Sequence, residues 1–217
     1  ALYNILGFAL HKNGQLNKAV LHYEKALNID PKFSFAHNNL GNLYKELGRF
    51  EEALSHYESS IKLNPNYAEA YYNQALLYKK IRKYNKSIES FHNALKIKPD
   101  YFDAHFDLGQ VYTTVGKFNE SIESFQKTIN LKPDFIPSYS NIFFTLLYMK
   151  EDKHNFFISL AKKFISSQKK IDKSLLTINR YEKKPKKLRV GFVSGNFYEH
   201  PVGYFLLDTI KNWEEEF

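Results

Sequence analysis

The sequence has no cysteine, and it lacks the long apolar runs of membrane proteins. Without cysteine the chain cannot form disulfides, thiolate nucleophiles or zinc sites with cysteine ligands. No run of 18 or more apolar residues is present, and the first residues do not join a basic stretch to an apolar one, so neither a membrane span nor a signal peptide is predicted. We therefore expect a cytoplasmic protein with no membrane partner.

Acidic residues are outnumbered by basic ones, and much of the excess lies in one segment. The formal net charge is +8, from 31 Lys and Arg against 23 Asp and Glu. Residues 169–189 hold nine of the basic side chains and only Asp172 and Glu182. Such a cluster is typical of an exposed linker rather than a phosphate-binding site. Since the aromatic residues recur at helical spacing instead of forming a stacking platform, nucleic acid is not an expected partner.

Proline recurs with a period of 34 residues, at Pro31, Pro65, Pro99 and Pro133. Between prolines, apolar residues follow a helical period in two segments joined by a short turn. Three of the turns contain a glycine, which can adopt the left-handed conformation that ends a helix, whereas Arg82 stands there in the third repeat. Small residues recur where neighbouring helices can approach closely: Gly7, Gly41, Ala75 and Gly109, then Ala19, Ala53, Ser87 and Ser121. The pattern predicts a series of helical hairpins.

This pattern of small and aromatic positions with a closing proline resembles the tetratricopeptide repeat over residues 1 to about 150. The resemblance implies hairpins that cannot bury their apolar faces alone and therefore stack into a superhelix. The concave groove of such a stack is lined mainly by the first helix of each repeat. We expect acceptor proteins or extended peptides to bind in that groove.

Amide side chains recur at one position of the predicted first helices. Asparagine is a poor helix former, and an amide can both donate hydrogen bonds to a peptide backbone and accept them from it. One hypothesis is a ladder that holds an extended peptide without reading its sequence. The alternative is that these residues only keep the concave face solvated. The positions are Asn39, Asn73, Asp107 and Asn141.

Two histidines occupy a position at which the sister repeats have tyrosine. His37 and His105 align with Tyr3, Tyr71 and Tyr139, so we expect them to be packing residues rather than ligands. No histidine in the chain has a metal-site spacing such as His-Glu-x-x-His. No metal site is predicted.

The repetition ends before the last third of the chain. Residues 135–168 begin as a fifth repeat but lack its closing proline, and their later apolar period predicts a capping helix. Residues 169–187 are charged and interrupted by proline, which indicates a basic linker. Residues 188–193 predict a buried strand, followed by a loop and then a helix over residues 202–213. Strand, loop and helix form the first unit of a doubly wound sheet, whose ligands bind in the loop at residues 194–200.

The stretch Leu188–Leu206, with its His200-Pro201 pair, resembles the opening of the catalytic region of the O-linked N-acetylglucosamine (O-GlcNAc) transferases. Ser140–Tyr148 is similar to the junction that precedes this region in bacterial members. The family usually has Ser-x-Asp-Phe after the strand, and Asn196 replaces the Asp here. Repeats alone would be unspecific, but their fusion to this tail makes the resemblance specific.

The resemblance implies a mainly α chain, in which a tetratricopeptide-repeat α-solenoid precedes the truncated start of a Rossmann-like (GT-B) α/β catalytic domain at residues 188–217. It also implies a metal-independent, inverting glycosyltransferase that needs no cofactor and moves N-acetylglucosamine from UDP-GlcNAc to Ser or Thr of proteins. His200 matches the family's active-site histidine, in a base or positioning role. Asn39, Asn73, Asp107 and Asn141 match the family's asparagine ladder.

Both ends of the sequence are expected to be truncations, because Ala1 falls inside a helix pattern and Phe217 follows the start of another. We expect a longer gene product to have the transferase activity and this polypeptide alone to be inactive. The alternative is a non-enzymatic tetratricopeptide scaffold for protein–protein interaction. The predicted divisions are 1–134 for four repeats, 135–168 for a partial repeat and cap, 169–187 for the linker, and 188–217 for the catalytic start.

Overall fold

A computed structural model of the protein describes residues 1–149 and 154–167, and all ten regular elements in these ranges are α-helices. They are α1 (Leu2–Lys12), α2 (Leu16–Ile29), α3 (Ser34–Glu46), α4 (Phe50–Leu63), α5 (Ala68–Lys80), α6 (Tyr84–Ile97), α7 (Phe102–Thr114), α8 (Phe118–Leu131), α9 (Ile136–Leu146) and α10 (His154–Ser167).

The described residues confirm a mainly helical repeat solenoid. The predicted linker at 169–187 lies outside them, as do the predicted strand, loop and helix of the catalytic start at 188–217, with His200. None of the ten helices is long and apolar enough to cross a membrane.

The first compact unit, Ala1–Leu131, consists of four hairpins. The two helices of each hairpin pack together, each second helix contacts the next first helix, and successive first helices also touch. Aromatic rings of the second helices fill the hairpin interiors, since Tyr23, Tyr57, Phe91 and Phe125 are all fully buried. Stacking therefore buries the faces that a single hairpin would leave in water.

The second compact unit begins at Lys132, and its described helices are α9 and α10. Tyr139 of α9 packs on Phe164 of α10 with ring centroids 5.1 Å apart, and Phe143 packs on Phe157 at 4.9 Å. The helical period predicted after the last repeat is thus present as α10.

The small residues allow close approach within the hairpins, as predicted. An added Cβ at Gly41 would lie 2.8 Å from the Tyr57 ring, and one at Gly109 would lie 2.7 Å from the Phe125 ring. Where the second helix has serine instead of alanine, the buried hydroxyl has a partner in the same hairpin: Ser87 Oγ donates to the Ala75 carbonyl oxygen at 2.8 Å. The serine is therefore compatible with a dry interface.

The turn at Arg82 has the same left-handed backbone as the glycine turns, with φ of 59° against 77° at Gly48. A residue with a Cβ is strained in this region by about 1 kcal/mol. We expect Arg82→Gly to raise the free energy of unfolding by about 1 kcal/mol. Gly48→Ala is the matched control, because an added Cβ meets nothing within 4 Å there. It should lose about 1 kcal/mol through backbone strain alone. Urea denaturation of both variants measures the difference, and a destabilised Arg82→Gly would contradict it.

Candidate functional site

A groove of about 570 Å³ crosses the first helices of the first three hairpins. Every residue that lines it belongs to α1, α3 or α5, as expected for the concave face of such a stack. The lining residues are Phe8, His11, Lys12, Asn39, Asn42, Lys45, Glu46, Asn73, Leu76 and Lys80.

The first two positions of the predicted ladder line this groove and also connect neighbouring helices. Asn39 Nδ2 donates to Asn4 Oδ1 at 3.0 Å, and Asn73 Nδ2 donates to Asn38 Oδ1 at 3.0 Å. Each bond reaches the residue 35 positions earlier, on the preceding first helix. The Oδ1 atoms of Asn39 and Asn73 accept no hydrogen bond within the described part of the chain. Each amide therefore joins two repeats and keeps an acceptor for another group.

Asp107, the third position of the predicted ladder, forms hydrogen bonds with other side chains of the protein. Its carboxylate accepts hydrogen bonds from Tyr72 OH at 2.9 Å and from Lys79 Nζ at 2.8 Å. The same ammonium also donates to Gln110 Oε1 at 2.6 Å. Asp107 thus joins α7 to α5, and it does not line the groove.

Asn141, the fourth position, belongs to the second compact unit. Its Nδ2 donates to the Pro137 carbonyl oxygen at 2.8 Å, four residues earlier in the same helix. The structure therefore brings Asn39 and Asn73 together in one groove, and it gives Asp107 and Asn141 partners of their own.

Asn42 is a groove residue that the repeat pattern did not single out. Its Oδ1 accepts a hydrogen bond from Tyr57 OH at 2.7 Å, and its Nδ2 has no acceptor among the described residues. The available signal was its position three residues after Asn39, on the same face of the helix. It adds a free donor beside the free acceptors of Asn39 and Asn73.

The first hairpin lacks a counterpart of Asn42, because Phe8 stands at the equivalent position. The hydroxyl of the equivalent tyrosine, Tyr23, is buried and has no hydrogen-bond partner in the part of the chain that the structure describes, and burial raises its pKa to about 12. We expect Tyr23→Phe to stabilise the fold by about 1 kcal/mol, since it removes an unsatisfied group. Tyr57→Phe is the matched control and should cost about 1 kcal/mol. Thermal unfolding of both variants tests the opposite signs, and equal shifts would contradict the prediction.

The groove contains more positive than negative charge. Lys12, Lys45 and Lys80 have no carboxylate within ion-pair distance among residues 1–149 and 154–167, whereas Glu46 contacts His11 Nε2 at 2.7 Å. Burial, and then the charge of Lys80, lower the pKa of Lys45, and Glu46 partly opposes this effect. Ammonium groups on three successive first helices therefore share the groove with one carboxylate, Glu46, whose ion-pair partner is His11.

The histidines at the tyrosine position have structural partners, as predicted. His37 Nε2 contacts the Pro31 carbonyl oxygen at 3.2 Å, and His105 Nε2 contacts that of Pro99 at 2.8 Å. Each ring thus gives a hydrogen-bond partner to the carbonyl of the inter-repeat proline, which lies six residues earlier in the chain. No group of three or more metal-binding side chains occurs in the described ranges.

We expect His56 to make the stability of the second hairpin pH-dependent. Its Nδ1 lies 3.0 Å from His37 Nδ1. Burial, with a smaller effect of His37, lowers the pKa of His56 from 6.5 to about 4. A base with a lowered pKa binds fewer protons when folded, so its contribution is present above pH 6.5 and is lost as pH falls toward 4.

We therefore expect the free energy of unfolding to fall over this range by roughly 1–2 kcal/mol more in the wild type than in His56→Ser. Serine occupies the equivalent position at Ser90 and Ser124, which makes the substitution compatible with the repeat. Urea titrations at a series of pH values measure the difference. Parallel pH profiles for the two proteins would contradict it.

Family models for the tetratricopeptide repeat match successive stretches of the chain. They cover residues 34–67, 56–89 and 102–135, and a further one matches 7–48 and 83–116. The hairpins are tetratricopeptide repeats. Their spacing of 34 residues and their small and aromatic positions are those expected of this repeat.

Solved tetratricopeptide structures have the same fold. A crystal structure of the MamA protein is 26% identical, with a TM-score of 0.68, and the match covers 82% of this chain and 94% of that one. YrrB, described as a TPR protein with an unusual peptide-binding site, is 20% identical, with a TM-score of 0.63 and coverage of 76% and 84%. Among curated proteins, the uncharacterized protein ycf37 of Pyropia yezoensis is 47% identical over 45 residues, which are 21% of this chain and only 25% of that protein.

Proposed function

We propose that the chain is a protein-interaction module that holds an extended polypeptide segment in the groove of α1, α3 and α5. The observation that supports this function is the set of amides in the groove with unused hydrogen-bonding atoms. Asn39 and Asn73 have free Oδ1 acceptors, and Asn42 has a free Nδ2 donor, within the described residues. The peptide-binding site of the similarly folded YrrB supports the same use of such a groove.

A peptide backbone is the ligand that this set of atoms fits. Each peptide unit has one N–H donor and one C=O acceptor, and both need partners when the chain leaves water. Carbonyl oxygens of Asn39 and Asn73 can accept from backbone N–H groups, while Asn42 Nδ2 can donate to a backbone carbonyl. The half-buried Leu76 and the exposed ring of Phe8 add apolar contact area beside them.

Selection from a displayed library of unstructured peptides, followed by fluorescence polarisation, tests the proposal. Asn42→Leu should weaken binding of the selected peptides about tenfold, since a desolvated donor is lost. Asn85→Leu is the matched control, because Asn85 is exposed on the second helix α6, and it should leave the affinity unchanged. Circular dichroism verifies that both variants are folded. The proposal is wrong if the library yields no binder or if the two variants behave alike.

A second proposed function applies to a gene product that continues past residue 217. We propose that such a product transfers N-acetylglucosamine from UDP-GlcNAc to Ser or Thr of proteins that the repeats hold. The supporting observation is the sequence resemblance of Leu188–Leu206, and above all the His200-Pro201 pair. The family models and solved structures described above match the repeats, whereas this proposal depends on Leu188–Leu206. Without such a continuation, the chain functions as the non-enzymatic scaffold.

Radiolabelled UDP-GlcNAc and a pool of acceptor peptides test the second function in the full gene product. Transfer is expected for the wild type and should be lost in His200→Ala. His154→Ala, a histidine of α10, is the control and should retain transfer. An early stop codon after Phe217, or no transfer by the full gene product, would exclude this function and leave the scaffold. Transfer that persists in His200→Ala would exclude the role of His200.

A further inference from the structure

We propose that the segment held in this groove is acidic, with carboxylates at every third residue, each paired with an ammonium group on a successive first helix. The inference rests on the proposed peptide-binding function and names its ligand class. Lys12 of α1, Lys45 of α3 and Lys80 of α5 all line the groove. None of them has a carboxylate within ion-pair distance in the ranges that the structure describes.

The neighbouring repeat contains an ion pair whose carboxylate has no counterpart in the groove. Lys79 Nζ lies 2.8 Å from Asp107 Oδ1, a residue 28 positions later on the next first helix. One repeat earlier, Lys45 stands in the place of Lys79, and the residue 28 positions after it is Asn73, which has no charge. The protein thus supplies the carboxylate in one repeat interval and omits it in the preceding one. A carboxylate of a ligand can pair with Lys45 instead.

The other two ammonium groups are held at the groove but are not neutralised. Lys12 Nζ lies 5.5 Å from the centre of the Phe8 ring, and Lys80 Nζ lies 5.1 Å from that of Phe50. Contacts with aromatic faces orient a cation and leave its charge available. The low pKa of the partly buried Lys45 agrees with this arrangement, because the charge of Lys80 and desolvation both oppose its protonation. A carboxylate beside Lys45 would offset both effects by stabilising the charged form of the amine.

The spacing of the helices sets the spacing of the ligand's charges. Packed helices lie about 8–10 Å apart, so we expect ammonium groups on successive first helices to recur at about that distance. A polyproline II segment rises about 3.1 Å per residue and has three residues per turn. Its side chains at every third residue share one face and are about 9 Å apart. Glutamates at every third residue therefore match one ammonium per helix.

A peptide fits these residues better than a nucleic acid, although both are anionic. The Oδ1 atoms of Asn39 and Asn73 in the groove are acceptors that need donors. Peptide N–H groups provide donors beside each carboxylate, whereas the phosphate groups of a nucleic acid, which would pair with the ammonium groups, present acceptors only. The mixture of amide acceptors and ammonium groups therefore favours an acidic peptide.

Fluorescence polarisation with three labelled peptides in a proline-rich background tests the ligand class. One has glutamate at every third residue, the second has glutamine at the same places, and the third has the same number of glutamates at every second residue. The first should bind about ten to a hundred times more tightly than the second, and more tightly than the third, with the advantage decreasing as salt is raised. Equal affinities for the first and second peptides would overturn the charge inference and leave the peptide-binding function intact. If none of the three peptides binds and the displayed library yields no binder, both the charge inference and the peptide-binding function are overturned.

Variants with the same net charge separate local pairing from the general field of the protein. Lys12→Met, Lys45→Met and Lys80→Met together should abolish the preference for glutamate over glutamine. The control combines Lys18→Met, Lys62→Met and Lys96→Met, which are exposed on second helices and should keep the preference. Loss in both triple variants would overturn the inference, as would a labelled single-stranded RNA that binds more tightly than the acidic peptide through the same three groove lysines.

Discussion

Replacing Gly109 with valine should lower the free energy of unfolding by about 2–3 kcal/mol. A Cβ at this position would lie 2.7 Å from Cε1, 2.9 Å from Cδ1 and 2.9 Å from Cζ of Phe125. The Phe125 ring is fully buried and cannot turn away, so α7 and α8 would have to separate. Valine has a better helix propensity than glycine, which opposes the loss by roughly a few tenths of a kcal/mol. The figure above already includes this gain. Urea denaturation of the whole chain measures the loss.

Two controls show whether the loss comes from this contact. Gly109→Ala should cost less than valine, because the equivalent position of the third hairpin is Ala75, which packs with the equivalent ring Phe91 in one buried cluster. Phe125→Leu removes the outer ring atoms, and in the Gly109→Val background it should recover about 1 kcal/mol relative to the sum of the single changes. Additive losses would mean that the close approach is not the cause.

Replacing Asp107 with leucine should cost about 2 kcal/mol, because two donors would lose their shared acceptor. Asp107 is 19% exposed and Lys79 is 30% exposed, so the loss lies below that of a fully buried ion pair. Burial, and then the Asp107 charge, raise the pKa of Tyr72, which agrees with the contact of its hydroxyl with Asp107. The prediction concerns stability, since Asp107 lies outside the groove lining.

Variants at Asp107 and Lys79 separate the contribution of the Asp107 charge to stability from that of its side-chain shape. Asp107→Asn should cost only about 1 kcal/mol, because the amide oxygen can still accept from Tyr72 while the charge for Lys79 is lost. Lys79→Met combined with Asp107→Leu should be about 1 kcal/mol more stable than the sum of the single changes, since neither partner is then left alone. An additive double variant would show that the pair contributes nothing.

The hairpins were predictable because their signals are local in the sequence. Periodic apolar residues, turn glycines and the recurring proline lie within one repeat, and each acts on neighbouring residues. Even the close packing at Gly41 and Gly109 follows from a small residue that recurs at one helical position. The left-handed turn at Arg82 was the exception, because the repeat period imposes on arginine a conformation that its own propensity does not favour.

The roles of the groove residues were less predictable, because their partners lie one repeat away. Spacing aligned Asn39, Asn73 and Asp107 as equivalent, yet the two amides line the groove and the carboxylate is engaged by Tyr72 and Lys79. Asn42 had no repeating signal, since Phe8 and Leu76 stand at its position in the adjacent repeats. The role of a side chain depends on the residues that contact it. Positions that are equivalent in the repeat do not have equivalent neighbours.

The amino-acid order alone determined that residues 1–131 form helical hairpins of one repeating kind, because helix formation and hairpin closure depend on contacts within 34 residues. Only the packing of successive hairpins decided which polar groups are satisfied and which remain free in the groove. Lys79 forms an ion pair with a carboxylate 28 residues later, whereas the residue 28 positions after Lys45 is the uncharged Asn73. This difference affects the groove only because the first helices lie side by side. Electrostatic pairing needs distances of a few ångströms, and tertiary structure alone sets those distances.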